Sequence, residues 1–120
     1  MSKNLDTLIN KISFEIVNKI QTTKNESERK KYKNEIDKAL GVLSNDGVYA
    51  YYVYVKSKKI DDIFLNELKQ ITEFISESER KLNQYFFKNL SQNLNQLLFF
   101  REILEKILIY ARYHAKAMGD

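Results

Sequence analysis

The chain is almost free of the residues that make tight turns. Its 120 residues include no proline and three glycines, and the 71 residues between Gly47 and Gly119 contain neither type. β-Rich folds depend on glycine and proline in their many turns, so this chain is a poor candidate for a β-sandwich or a β-barrel. Its length suits one domain, residues 1–120, built around a single core.

Apolar residues recur at steps of three and four, which is the period of a helix with one buried face. In the first segment, from Leu5 to about Gln21, the stripe comprises Leu5, Leu8, Ile9, Ile12, Ile16 and Ile20. Later stripes predict further helices over about Ser27–Leu43, Asp61–Ser76 and Glu79–Met118, the last with a break at Asn89–Asn93 and a stop at Gly119. The sequence therefore predicts an all-α fold, a compact bundle of five to six helices.

One segment is ambiguous. The polar stretches Thr22–Ser27 and Ser44–Gly47 indicate a loop and a turn, and Val48–Val55, rich in tyrosine and valine, follows the second of them. β-Branched and aromatic residues favour a strand, but the chain offers no second strand to pair with this backbone. We therefore predict a short central helix at Val48–Val55, with most of its tyrosines facing the core.

The residue inventory excludes several kinds of site. The absence of cysteine excludes disulfides, zinc–thiolate sites and thiol nucleophiles. The lone histidine, His114, lies between Arg112 and Lys116, which repel a cation, so we expect a surface or half-buried histidine and no metal site. There is no glycine-rich phosphate-binding motif and no serine in a nucleophile elbow. We therefore expect no enzymatic activity, no catalytic residues and no cofactor.

The chain also lacks targeting features. No run of 18 uncharged apolar residues is present, and the N-terminus lacks the apolar region of a signal peptide. We expect a cytoplasmic protein without a membrane partner.

Positive charge is unevenly distributed. The net charge is +4, and the excess lies in residues 1–59, which carry 12 Lys and Arg against 7 Asp and Glu. Its densest runs are Arg29–Lys33 and Lys56–Lys59, although Glu26, Glu28 and Glu35 interleave the first run and favour an ordinary solvated face there. Arg112 and Lys116, four residues apart, share a helix face. Clustered cations of this kind suit a polyanion such as nucleic acid.

Apolar residues exceed one stripe in two places, Phe86–Phe87 and Leu98–Phe100. A helix that is apolar on two faces indicates a second contact surface. This favours self-association or docking to a larger partner.

Two stretches resemble a known family. The first comprises Lys31-Tyr-Lys33, the turn from Leu40 to Val48, and Tyr54-Val-Lys-Ser-Lys58; the second runs from Arg101 to Met118. Together they resemble the small helical subunit of type III-B (Cmr) CRISPR effector complexes, or a related CRISPR small subunit. The resemblance implies a non-catalytic protein that stacks with copies of itself beside other effector subunits, with a basic face along the guide and target RNA.

The resemblance places Lys56, Lys58, Arg112 and Lys116 at matched basic positions, and charge alone adds Lys30, Lys31 and Lys59. We therefore predict a non-catalytic RNA-binding subunit that reads backbone and shape through these seven side chains. This requires cations from distant parts of the chain to converge on one track.

Two alternatives remain open. A helical protein–protein adaptor without a nucleic-acid role would bind its partner through Phe86, Phe87, Phe99 and Phe100. A helix-turn-helix DNA-binding protein is disfavoured, because the helix after the turn offers tyrosines rather than Arg, Asn or Gln to base edges.

Overall fold

The computed structural model describes residues 5–74, 87–88, 90 and 92–119, and every regular element in these ranges is helical. The fold is an all-α bundle, as the sequence predicts. Its elements are α1 (Leu5–Thr23), α2 (Glu26–Asp46), α3 (Val48–Ser57), α4 (Asp61–Phe64), a 3-10 helix (Asn66–Phe74) and α5 (Leu94–Met118).

Local capping chemistry sets the connection between α1 and α2. The Asn25 side chain accepts a hydrogen bond from the backbone N–H of Glu28, and the Glu28 side chain accepts one from the backbone N–H of Asn25. This reciprocal capping box satisfies backbone donors that the first turn leaves free. The loop expected at Thr22–Ser27 is therefore shortened to Lys24 and Asn25.

A single glycine separates α2 from α3. The turn expected at Ser44–Gly47 is shorter than predicted, because α2 continues through Asp46. Gly47 has φ 98° and ψ −177°, a conformation almost confined to glycine, and its N–H donates to the carbonyl of Leu43. The chain therefore changes direction at one residue.

The boundaries of α5 follow the sequence signals. Asn93, at the end of the predicted break, is the N-cap residue and accepts a hydrogen bond from the N–H of Gln96 at 3.2 Å. Gly119 ends the helix with φ 76°. Residues 79–86 of the predicted segment lie outside the described ranges.

Helix α5 packs against both α1 and α2. It runs antiparallel to α2, since Lys33 meets Gly119 near one end and Ser44 meets Glu105 further along. It runs parallel to α1, since Phe14 contacts His114 and Gln21 lies near Met118. The buried residues of α5 are Phe100, Ile103, Leu104, Ile107, Leu108 and Ala111.

Helix α3 is helical as predicted, and most of its tyrosines face the core as expected, since Tyr52 and Tyr54 are partly buried against the core and Tyr51 lies within it. Only Tyr51 is fully buried among its four tyrosines, between Val48 and Val55 on the same face. Its hydroxyl donates to the carbonyl of Phe64 at 2.7 Å, and burial raises the pKa of its phenol. Tyr49 is 43% exposed because the 3.6-residue period turns it away from that face.

The prediction of one α-helix over Asp61–Ser76 is wrong. The chain forms one α-helical turn, α4, and then the 3-10 helix; residues 75 and 76 lie outside the described ranges. Residues three apart lie on one side of a 3-10 helix. Leu68 and Ile71 of this helix have that spacing, and so does Leu65 directly before it. All three are buried, so the tighter helix aligns them with the core.

A cluster of three side chains joins the start of α2 to α4. The ammonium of Lys24 and the hydroxyl of Tyr32 both donate to the carboxylate of Asp62, at 2.5 and 2.9 Å. Partial burial raises the pKa of Asp62, but these hydrogen bonds outweigh it and hold the pKa below its ordinary value. The hydrogen bond to Asp62 raises the pKa of Lys24, and burial raises that of Tyr32.

Two glycine substitutions should shift stability in opposite directions. A Cβ at Gly41, inside α2, would meet no atom within 4 Å, so Gly41→Ala should stabilise the protein by roughly 0.5–1 kcal/mol through helix propensity. Gly47→Ala is equally free of clashes but retains φ 98°, and should destabilise it by about 1–3 kcal/mol. Urea denaturation measures both; equal stability of Gly47→Ala and the parent would contradict the role of Gly47.

Replacing Asp62 by asparagine should destabilise the protein in a pH-dependent way. Because the folded carboxyl has a lowered pKa, its contribution is present above its unfolded pKa, near 4, and is lost as pH falls through the folded pKa. Denaturation of Asp62→Asn and the parent should therefore differ at pH 7 and converge in acid. Tyr32→Phe, which removes one donor, should show a smaller loss; a difference that does not change with pH would refute this account.

Candidate nucleic-acid interface

The antiparallel packing of α2 and α5 leaves a groove between the first half of α2 and the end of α5. Its volume is about 430 Å³. The residues that line it are Lys30, Lys33, Asn34 and Asp37 of α2 and Arg112, Ala115, Lys116 and Gly119 from α5 and its cap. On each helix these positions are three or four apart, so they form one face.

A second concavity, of about 390 Å³, continues the groove around the end of the bundle. It shares Lys30, Lys33 and Gly119 with the first, and adds Gln21, Glu26, Arg29 and Met118. We call the two together the α2–α5 groove.

The α2–α5 groove is basic. Among the described residues, five cations border it, against the two carboxylates of Glu26 and Asp37. The cations are Arg29, Lys30, Lys33, Arg112 and Lys116. Three of the seven side chains predicted from the sequence, Lys30, Arg112 and Lys116, thus lie in one groove although more than 80 residues separate the first from the other two.

Several groove cations are held by neighbouring groups. The Arg112 guanidinium lies 3.6 Å from the Asp37 carboxylate, while its Nε is buried and has no hydrogen-bond partner in the described part of the chain. Lys33 donates to the carbonyl of Gly119 at 3.1 Å, and Arg29 donates to the carbonyl of Lys24 at 2.9 Å. These contacts position positive charge at the groove wall.

Most of the acids that interleave the first basic run are used elsewhere. Glu28 belongs to the capping box that begins α2. Glu35 is 5% exposed and accepts a hydrogen bond from the hydroxyl of Tyr54; burial and this contact raise the pKa of Tyr54 to about 12. Of the three acids, only Glu26 borders the α2–α5 groove. The groove is therefore more basic than the linear sequence indicates.

Three predicted cations form a separate group at the end of α3. Lys56 lies 3.5 Å from the carboxylate of Asp61, and the shallow recess beside it is also lined by Asp62. The Lys58 ammonium lies 5.7 Å from the centroid of the Tyr54 ring. Lys59 is exposed and has φ 59°, which closes the turn after α3. An acid thus faces Lys56, and none of the three lysines lines the α2–α5 groove.

Lys31 is exposed on α2 but does not line the groove. It lies one residue, or about 100° of helix rotation, from Lys30. Conversely, sequence reasoning did not assign Arg29 and Lys33 to the site. The available signal was spacing along the helix, since Lys30 and Lys33 are neighbours on one face whereas Lys30 and Lys31 are not.

The aromatic surface expected for an adaptor is largely internal. Phe87 and Phe100 are 1% and 0% exposed, and their rings meet edge to face at 5.9 Å. Phe99 is half-buried and Leu98 is 52% exposed, while Phe86 lies outside the described ranges. The expectation of a contact surface through Phe87 and Phe100 is therefore wrong, because both complete the core.

The described ranges offer neither a metal cluster nor a membrane span. His114 is half-buried, as predicted, and its ring meets Phe14 edge to face at 5.8 Å. No cluster of three or more His, Cys, Asp or Glu side chains able to hold a metal ion occurs among the described residues. None of the helices described above combines the length and apolar character needed to cross a bilayer.

Comparisons of the chain with protein-family models, with curated proteins and with solved structures gave no significant match.

Proposed function

We propose that this chain is a non-catalytic helical protein that binds the phosphate backbone of RNA through the α2–α5 groove. The proposal rests on one observation. Among the described residues, five cations from the first half of α2 and the end of α5 line one groove, together with only two carboxylates. Each Lys or Arg that neutralises a phosphate releases counterions, which makes such binding favourable and dependent on salt.

The form of the groove suits a backbone better than a compact ligand. Its two concavities are continuous through Lys30 and Lys33 and follow the seam around the end of the bundle. Phosphate contacts of this kind position a nucleic acid without reading its sequence. The protein would then bind without sequence preference, as suits a subunit of an assembly in which base pairing supplies specificity.

The resemblance to the small subunit of type III-B CRISPR effector complexes supplies the proposed setting. In that setting the chain joins other effector subunits and copies of itself along guide and target RNA. Arg112 and Lys116, two of the cations matched by the resemblance, lie in the α2–α5 groove.

A protein–protein adaptor is the second candidate. It is favoured by Leu94 and Leu98, which are 66% and 52% exposed and lie four residues apart on α5. An adaptor would keep its partner after the groove charges are removed, whereas an RNA-binding protein would lose its ligand.

Neutralising the groove should weaken RNA binding more than neutralising the end of α3. The test compares the triple variant Lys30→Gln/Arg112→Gln/Lys116→Gln with Lys56→Gln/Lys58→Gln/Lys59→Gln, which removes the same net charge. Binding of single-stranded RNA is measured by fluorescence anisotropy over a range of salt. Loss of three phosphate contacts should reduce the slope of log K against log salt by about 2 in the groove variant.

The second variant should change this slope less, because its three lysines do not line the groove and Lys56 already lies 3.5 Å from the carboxylate of Asp61. Equal slopes for the two variants would show that net charge rather than the groove governs binding. An unchanged slope in the groove variant would count against the proposal itself.

Removing the carboxylate that faces Arg112 should strengthen binding. Asp37→Asn deletes the partner 3.6 Å from the guanidinium and leaves Arg112 available to a phosphate. We expect tighter RNA binding and a steeper salt dependence. Asp46→Asn, at the end of α2 and outside the groove lining, makes the same charge change. If both variants gain equally in affinity, Arg112 has no special role.

A further inference from the structure

Two exposed tyrosines lie on the second half of α5, and one of them, Tyr113, contacts the groove residue Arg112. Tyr110 and Tyr113 are 43% and 58% exposed, and their spacing of three residues makes them neighbouring positions on the surface of α5. Lys106, also exposed, lies four residues before Tyr110 on the same face. Glu102, four residues before Lys106, is also exposed, so this side of α5 carries charge of both signs.

Helix α1 enlarges this aromatic surface. Phe14 is 46% exposed, and its ring contacts that of His114, on α5 next to Tyr113. We call Phe14, Tyr110, Tyr113 and His114 the aromatic strip. Large rings exposed together on a folded domain mark a contact surface.

The aromatic strip is continuous with the groove. The Arg112 guanidinium, which lines the groove, lies 5.8 Å from the centroid of the Tyr113 ring. Lys116, three residues after Tyr113, also lines the groove. Groove cations and an exposed ring thus lie within one helical turn of each other.

This juxtaposition selects one class of occupant. Sites for single-stranded nucleic acid combine a cationic groove that follows the backbone with aromatic rings on which bases stack. In a duplex the bases are paired and stacked inside, so rings beside the groove would have no base face to meet. An apolar protein partner would cover the rings, but it would also have to cover the charged Lys116 next to them, and burying a charge is costly unless it is paired.

We infer that the α2–α5 groove and the aromatic strip form one site for single-stranded RNA, with phosphates along the groove and bases stacked on Tyr113 and Tyr110. The inference rests on the proposed function and adds the strandedness of the ligand and the residues that meet its bases. The stacking is independent of base identity, since every base presents a flat π-face.

The test uses the full chain and three ligands with equal numbers of phosphates: a single-stranded RNA, an abasic strand of the same length, and an RNA duplex. The unmodified protein should bind the single-stranded RNA most tightly. Tyr113→Ala should weaken binding of the base-bearing strand on the order of tenfold while leaving its salt slope and the abasic affinity unchanged. Tyr113→Phe retains a ring and should bind as the parent does.

Tyr49→Ala is the matched control, because Tyr49 is 43% exposed on α3, away from the groove lining. It should leave all three affinities unchanged. Circular dichroism and urea denaturation verify that each variant is folded. Because the Tyr113 side chain is 58% exposed, its replacement should leave the fold intact.

Equal affinities for the base-bearing and abasic strands would overturn the inference, as would a Tyr113→Ala variant that weakens both alike. In either case a salt slope that still depends on Lys30, Arg112 and Lys116 would leave the proposed function intact. A salt slope that does not depend on those three residues overturns the proposed function and this inference together.

Discussion

The structure depends on the burial of one face of α5 between α1 and α2. Phe100, Leu104, Ile107, Leu108 and Ala111 are fully buried on that face, and removal of such surface from water is the main favourable term in folding. A helix buried between two others presents one flank to each neighbour. The flank toward α2 carries Arg112 and Lys116, and the flank toward α1 carries His114.

The placement of charge follows from this packing. Antiparallel α2 brings Lys30, Lys33 and Asp37 beside the end of α5, and the parallel α1 brings Phe14 beside His114. Polar contacts at the margin of the core then adjust the arrangement, such as those of Arg101 and Glu105 with Ser44. The seam of α5 with α2 therefore carries the basic groove, and its seam with α1 carries the contact of Phe14 with His114 at one edge of the aromatic strip.

The acids show why charge counted along the chain is a poor guide to charge on a surface. Glu26, Glu28 and Glu35 all lie close in sequence to the first basic run, yet one caps a helix and another is buried against Tyr54. Lys56, by contrast, is followed by no acid until Asp61, and that acid folds back to it. A carboxylate neutralises the cations that it faces in space, and helix rotation and chain reversal determine which those are.

The sequence by itself determined the helical class, the stripes of α1, α2 and α5, the helical state of α3, and the helix limits at Asn93 and Gly119, since these follow from local periodicity and capping. Local signals did not predict the 3-10 helix or the internal position of Phe87, because those depend on what the rest of the chain offers for packing. They identified Lys30, Arg112 and Lys116 as candidate cations but did not separate them from Lys31 or from the lysines at the end of α3. Only tertiary structure decided which of these charges meet, because the distance between residues far apart in the chain is set by the packing of whole helices.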